Sequence, residues 1–242
     1  MNNHKILILV VMSFIILINS CDDNSTSIEN TSDNVITDID GNEYKIIKIG
    51  DQWWMAENLK VTRYNNGDSI LNFTNSENWE NSISGSVCSY DNKGYTANVY
   101  GRLYNWYAIE DSRKIAPDGW HIPSDAEWKE LEINLGMSQS EASENGYRGI
   151  GIGGKLKSDG IQWVSPNVGA TDSVGFSALG SGLRMPNGSF VALLYSGILW
   201  TSSQYEFSDR YAIYRHLDTY NSTIHRSSDY KQYGFSIRCV KD

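Results

Sequence analysis

Positive charge is scarce in this chain. Its 242 residues carry 20 Lys and Arg against 29 Asp and Glu, a formal net charge of -9. Phosphate backbones are held by basic faces that this balance does not supply, so nucleic acid is excluded as a partner. Long apolar runs are scarce too. The most prominent, residues 6–18, has 13 residues, too few for a bilayer-spanning helix but suited to the hydrophobic region of a signal peptide. There are three cysteines and four histidines. His121, His216 and His225 lack metal-ligand spacing and no Gly-x-Ser-x-Gly phrase accompanies them. No nucleophile and base pair is visible, and no metal or cofactor is expected. Gly149-Ile150-Gly151-Ile152-Gly153-Gly154-Lys155-Leu156 has the letters of a G-x-G-x-x-G phrase. Leu156 stands where a phosphate loop needs Ser or Thr, and no parallel-strand run precedes it, so a glycine-rich loop packed on a sheet is expected. Ser228-Asp229-Tyr230-Lys231 matches S-x-x-K in letters only.

What is present is aromatic. Eight Trp and 15 Tyr beside 21 Gly suggest a loop-rich fold with aromatic cores rather than a helical bundle. The most specific stretch is Gly119-Trp120-His121-Ile122-Pro123-Ser124-Asp125-Ala126-Glu127-Trp128. Ser124 and Glu127 have the spacing of a capping box, Asp125 adds negative charge at the helix start, and Trp128, Leu131 and Leu135 recur at helical spacing until Gly136. A second short helix is expected at 138–144.

The N-terminal run ends in Ile18-Asn19-Ser20-Cys21, which resembles a bacterial lipobox. Residues 1–20 then form a signal peptide, Cys21 becomes the lipidated (palmitate-bearing) first residue, and several acyl chains suffice for stable anchoring. The alternative is a cleaved signal with an incidental cysteine. Cys88 and Cys239 are left for an oxidising compartment, either as a disulfide or as two buried thiols. Residues 21–35 are Asn, Ser, Thr and Asp with little to bury, a flexible tether. The acidic Asp22-Asp23 resembles the start of surface-exported lipoproteins of the Bacteroidetes, with periplasm-facing attachment as the alternative.

From residue 35 a three-stranded meander is expected, with Asp40-Gly41 and Gly50-Asp51 as its turns and Trp53 and Trp54 on opposite faces. Residues 62–98 read as loops and short strands, and 104–109 as a buried run with helix favoured. Strands are expected at 190–194, 198–202, 211–217, 223–226 and 234–240.

Six phrases in order, among them Gln52-Trp53-Trp54-Met55-Ala56-Glu57-Asn58-Leu59, Gly101-Arg102-Leu103-Tyr104-Asn105-Trp106, the Trp120 to Trp128 stretch and Gly234-Phe235-Ser236-Ile237-Arg238-Cys239, resemble the Fibrobacter succinogenes major paralogous domain over 36–242. That family is similar to the C-type-lectin-like superfamily, near the sulfatase-modifying domains. The resemblance implies an α+β fold with short twisted antiparallel sheets, one or two main helices and long irregular loops. It also implies an exported lipoprotein at the outer membrane. Sulfatase-modifying relatives oxidise a substrate thiol with two reactive cysteines, but Cys239 in a terminal strand is a poor place for a reactive thiolate. Lectins of that fold bind Ca²⁺ through a loop to which Met185-Pro186-Asn187 is the nearest match. It lacks the first oxygen ligand, so a turn is expected.

What remains is recognition. Tyr205, Phe207, Tyr211, Tyr214, Tyr220 and Tyr230, with Arg210, Arg215 and Arg226, crowd the C-terminal strands. Of these, Tyr205, Tyr211, Tyr214, Arg215, Tyr220 and Arg226 are the candidate surface, because Tyr and Arg offer contact area with a polar handle. Ser69 and Ser173 lie in Asp-Ser-aliphatic triplets that resemble Bacteroidetes O-glycosylation sites. The expectation is a lipid-anchored envelope protein with a non-catalytic lectin-like domain that binds a glycan or protein partner. The alternatives are a self-associating matrix protein and an enzyme with a divergent site.

Overall fold

The computed structural model describes residues 34–242. The signal peptide expected at 1–20, the expected lipidation site Cys21 and nearly all of the expected tether lie outside the described residues. The described residues open with the expected meander: β1 (Val35–Thr37), β2 (Glu43–Ile49) and β3 (Gln52–Met55). Its first turn is closed by Asp38, whose carboxylate accepts from the Asp40 and Asn42 amides and, at 2.6 Å, from the buried Tyr44 hydroxyl. Gly41, with φ +82°, supplies the left-handed step. Trp54 is fully buried while Trp53 is half-buried against a different cluster, as the alternation of a strand requires.

The remaining elements are β4 (Leu71–Asn72), α1 (Ser76–Glu80), β5 (Ser86–Cys88), α2 (Gly94–Tyr100), β6 (Leu103–Tyr104), α3 (Tyr107–Glu110), β7 (Trp120–His121), α4 (Asp125–Asn134), α5 (Gln139–Ser143), β8 (Gly146–Arg148), α6 (Ile152–Leu156), β9 (Ser181–Arg184), β10 (Phe190–Leu193), β11 (Ser196–Gln204), β12 (Tyr211–Asp218), β13 (Ile224–Tyr230) and β14 (Val240–Lys241). They build three sheets in the orders β1-β2-β3-β14-β7, β10-β9-β11-β12-β13-β8 and β4-β5-β6. Pairing is antiparallel except between β11 and β9 and between β4 and β5. The chain is α+β.

The capping box at α4 is complete: the Ser124 hydroxyl accepts from the Glu127 amide and the Glu127 carboxylate accepts from the Ser124 amide. Trp128 and Leu131 are buried against Trp54 and Phe176, with rings 5.0–5.9 Å apart. The glycine-rich stretch becomes α6, and its glycines are needed for contact. A Cβ on Gly153 would lie 2.1 Å from the Thr223 carbonyl oxygen, and one on Gly154 would lie 2.0 Å from that of Gly169.

Three expectations are corrected. Residues 62–98 contain α1 and most of α2 as well as strands. Asn75 caps α1, and Trp79 is buried there beneath the Arg184 guanidinium, 4.4 Å from its ring. The run 104–109 splits into the end of β6 and the four-residue α3. Cys88 and Cys239 are not bridged. Both are free and buried, Cys88 packed with Trp79 and Leu103, Cys239 in the large cluster around Met55 and Phe235. Burial pushes the Cys88 thiol up to about 11 and the Cys239 thiol higher.

A loop-rich chain leaves carbonyls without strand partners, and buried cations supply the donors. Arg184 donates to the carbonyls of Phe73, Asn75 and Gly188. Lys157 donates to those of Val168, Asp218 and Asn221. Arg238 donates to Phe176 and Ser177 and to the Asn58 side chain.

Candidate functional site

One face of the six-stranded sheet changes character along its length. Register puts Arg215 opposite Arg226, Ile213 opposite Ser228 and Tyr211 opposite Tyr230, while β8 adds Arg148 opposite Ile224. All point to the same side, because cross-strand partners share a face. Under α4 that face is ionic. Arg215 donates to Asp125 at 2.8 Å and to Glu132 at 2.6 Å, and Arg148 takes the other Glu132 oxygen at 2.6 Å. Arg226 forks onto both Asp125 oxygens at 2.8 Å, and Lys129 joins Asp125 at 2.9 Å. Burial opposes the Asp125 charge, but Arg226, Arg215 and Lys129 outweigh it and hold the carboxyl well below its usual range. Burial pulls Arg148 down to about 10 despite Glu132, with Arg215 and Arg226 adding to the effect.

Beyond the start of α4 the face opens. A crevice of about 140 Å³ is lined by Asn145, Tyr205, Ile213, Arg226, Ser227 and Ser228. From it an aromatic strip runs outward. Ring centroids are 5.4 Å apart for Phe207 and Tyr205, 6.4 Å for Tyr205 and Tyr211, and 4.6 Å for Tyr211 and Tyr230. Phe207 is 78% exposed and Tyr230 41%. Tyr230 is also one wall of a second, open cleft of about 420 Å³, shared with Tyr233, Gln232, Glu80 and the Met185-Pro186-Asn187 turn. Flat rings flanked by amide, hydroxyl and guanidinium groups can hold a ligand that has both apolar faces and hydrogen-bonding edges.

The six candidate residues do not converge. Tyr205 and Tyr211 belong to the strip and Arg226 to the crevice. Arg215 is corrected: it is fully buried in the ion network and touches no solvent. Tyr214 is on the opposite face, packed on Phe235 and Trp200. Tyr220, exposed, stands beside Tyr195 at 6.3 Å. Ser69 and Ser173 are both exposed. Sequence reasoning did not single out Asn145, Ser228, Gln232 or Tyr233 for the site. Of these only Ser228 had a readable signal, its register opposite Ile213 once the hairpin is drawn.

Two other groupings have chemical potential. Ser196 Oγ lies 3.0 Å from His216 Nε2, a serine and histidine pair that the sequence did not reveal. Burial pushes His216 down to about 4, too weak a base for neutral pH, and both Asp218 oxygens accept from Asn221. His121 is clasped between Asp242 at 2.6 Å and Glu127 at 2.7 Å, beside an apolar pocket of about 270 Å³ that includes Trp120 and Ile122. Both ring nitrogens are already engaged.

Among comparisons with known proteins, the family described as the Fibrobacter succinogenes major domain matches residues 47–241. No curated protein and no solved structure matches the chain.

Proposed function

The chain belongs to the Fibrobacter succinogenes major domain family, and from that premise we propose that it is a non-catalytic binding module of the cell envelope whose ligand is a glycan. The observation that carries the reading is the partly exposed row Phe207, Tyr205, Tyr211 and Tyr230, with centroid spacings of 5.4, 6.4 and 4.6 Å, the polar crevice beside Tyr205 and the open cleft beside Tyr230. Sugar rings present apolar C–H faces that stack on aromatic rings, while their hydroxyls need the amides and hydroxyls that Asn145, Ser228, Asn187 and Gln232 offer. The fold is read as lectin-like on the family resemblance. The anchor is read as lipid on Cys21, supported by the apolar run and the Ile18-Asn19-Ser20-Cys21 phrase.

A panel of oligosaccharides titrated against the full chain in detergent tests the reading. Saturable binding that falls about tenfold or more in Tyr211→Ala and Tyr230→Ala, with the saccharide recovered intact, is the expected outcome. Saccharide cleavage would favour an enzyme. Absence of binding with concentration-dependent oligomers would favour a matrix protein. Metabolic labelling with a palmitate analogue, lost in Cys21→Ser, tests the anchor.

A further inference from the structure

The guanidinium of Arg226 has five N–H donors. Among the described residues three contacts engage it: Nε and Nη2 on Asp125, and Nη1 on Asn145. One hydrogen on each Nη remains. These are the charged donors that Arg226 has left for a carboxylate. Asn145 gives its carbonyl oxygen to Arg226, so its amide NH₂ is what it has left to offer a ligand. Ser228 and Tyr205 add hydroxyls, and none of the six lining residues is a carboxylate.

The charge beneath the crevice is unbalanced. Lys129, Arg148, Arg215 and Arg226 surround only Asp125 and Glu132, four cations to two carboxylates. Exposed Glu206, next to Tyr205, acts on Arg226 from the rim and leaves the balance positive. Uncompensated positive charge in a low-dielectric interior attracts an anion to its accessible end. This happens in a chain whose net charge is -9. Size sets the rest. At about 140 Å³ the crevice is smaller than the roughly 300–1,000 Å³ that encloses a whole ligand, so it takes one acidic group while the remainder lies on the rings outside.

Resting on the glycan reading above, we infer that the crevice is an acid-accepting subsite and that the ligand is an acidic glycan, its sugar carboxylate received by Arg226 and its ring faces by Tyr205 and Tyr211. Short oligogalacturonates and the same oligomers methyl-esterified separate the terms when titrated against the full chain in detergent. Esterification removes the charge and the paired oxygens and keeps the ring faces.

The acid form is expected to bind at least about tenfold tighter. Ser228→Glu, which adds a carboxylate to the crevice without touching the Arg226 and Asp125 pair, is expected to abolish the preference. Glu206→Gln is expected to strengthen acid binding about twofold. Circular dichroism melts establish that both variants fold. Equal affinity for acid and ester, or a Ser228→Glu chain that keeps its preference, overturns the acid subsite and leaves the glycan reading standing. Binding of neutral oligosaccharides only does the same. Binding of no saccharide overturns both. Acetate competing as well as galacturonate at equal concentration means that the crevice takes a bare carboxylate, which overturns the sugar assignment.

Discussion

Arg215 has no exposed surface and is shared by Asp125 and Glu132, so Arg215→Met leaves Glu132 in the core with Arg148 alone and takes one of three cations from Asp125. Breaking a buried ion pair from one side costs about 3–5 kcal/mol. Urea unfolding should register a loss of that size, whereas Tyr220→Ala, on an exposed ring, should stay within about 0.5 kcal/mol. A loss below about 1 kcal/mol for Arg215→Met would mean that the network carries no weight. His121 gives a pH signature instead. Burial would lower its pKa, but Asp242 and Glu127 outweigh burial and raise it. A folded pKa above the unfolded value near 6.5 makes the imidazolium's contribution complete below that pH and progressively lost as pH rises through the folded pKa. With the side chain 39% exposed, solvent screening limits the effect to about 0.5–1 kcal/mol, about 2 °C in Tm. From pH 6 to 8.5 the wild-type Tm should therefore fall about 2 °C more than that of His121→Gln. Parallel curves would sink the assignment. In the sequence, Arg215 shares a strand face with Ile213 and Leu217, but its charge put it among the surface candidates. Its acidic partners lie 90 and 83 residues away along the chain, out of reach of any local pattern.

At the scale of elements, what the sequence reveals depends on whether the cause is local. The capping box of α4 and the two meander turns are local, and both form as their residues dictate. α1 and α2 escaped notice because helices of five and seven residues are too short to display a period. Trp79 is fixed by Arg184, which comes from β9, far along the chain. α6 makes the point testable. Ala would normally be better than Gly inside a helix by about 0.5–1 kcal/mol, but the Thr223 carbonyl oxygen 2.1 Å from the added methyl cannot yield without moving backbone. The clash should win, and Gly153→Ala is expected to destabilise by about 1–3 kcal/mol. Gly94→Ala, at the start of α2 with nothing within 4 Å of the new Cβ, is expected to be neutral or stabilising by a few tenths. Equal melting curves for the two variants would refute a packing role for the glycine-rich stretch.

The whole molecule is joined by its last nine described residues. In sequence 234–240 reads as one strand, and the alternation is real: Phe235, Ile237 and Cys239 enter one cluster and Val240 the other. The single strand is corrected: only Val240–Lys241 is strand, and the residues before it make isolated bridges, because this segment completes no single sheet. Gly234 bridges to Arg184, Phe235 to Tyr104 and Ser236 to Leu199. Ile237 and Cys239 then accept from the Leu59 and Met55 amides, and β14 pairs with both β3 and β7. All three sheets therefore depend on a stretch whose long-range partners no local pattern names, although its position in the family phrase gave it importance. Phe235, Ile237, Cys239 and Val240 are each at most 1% exposed. At about 1.5–3 kcal/mol for burying each large apolar side chain, their removal is comparable to the roughly 5–15 kcal/mol that holds a domain together. A chain truncated after Tyr233 is expected to lose near-ultraviolet dichroism, bind a hydrophobic dye and melt without a cooperative transition. Retention of a sharp melt within about 5 °C of wild type would mean that the three sheets hold together without it.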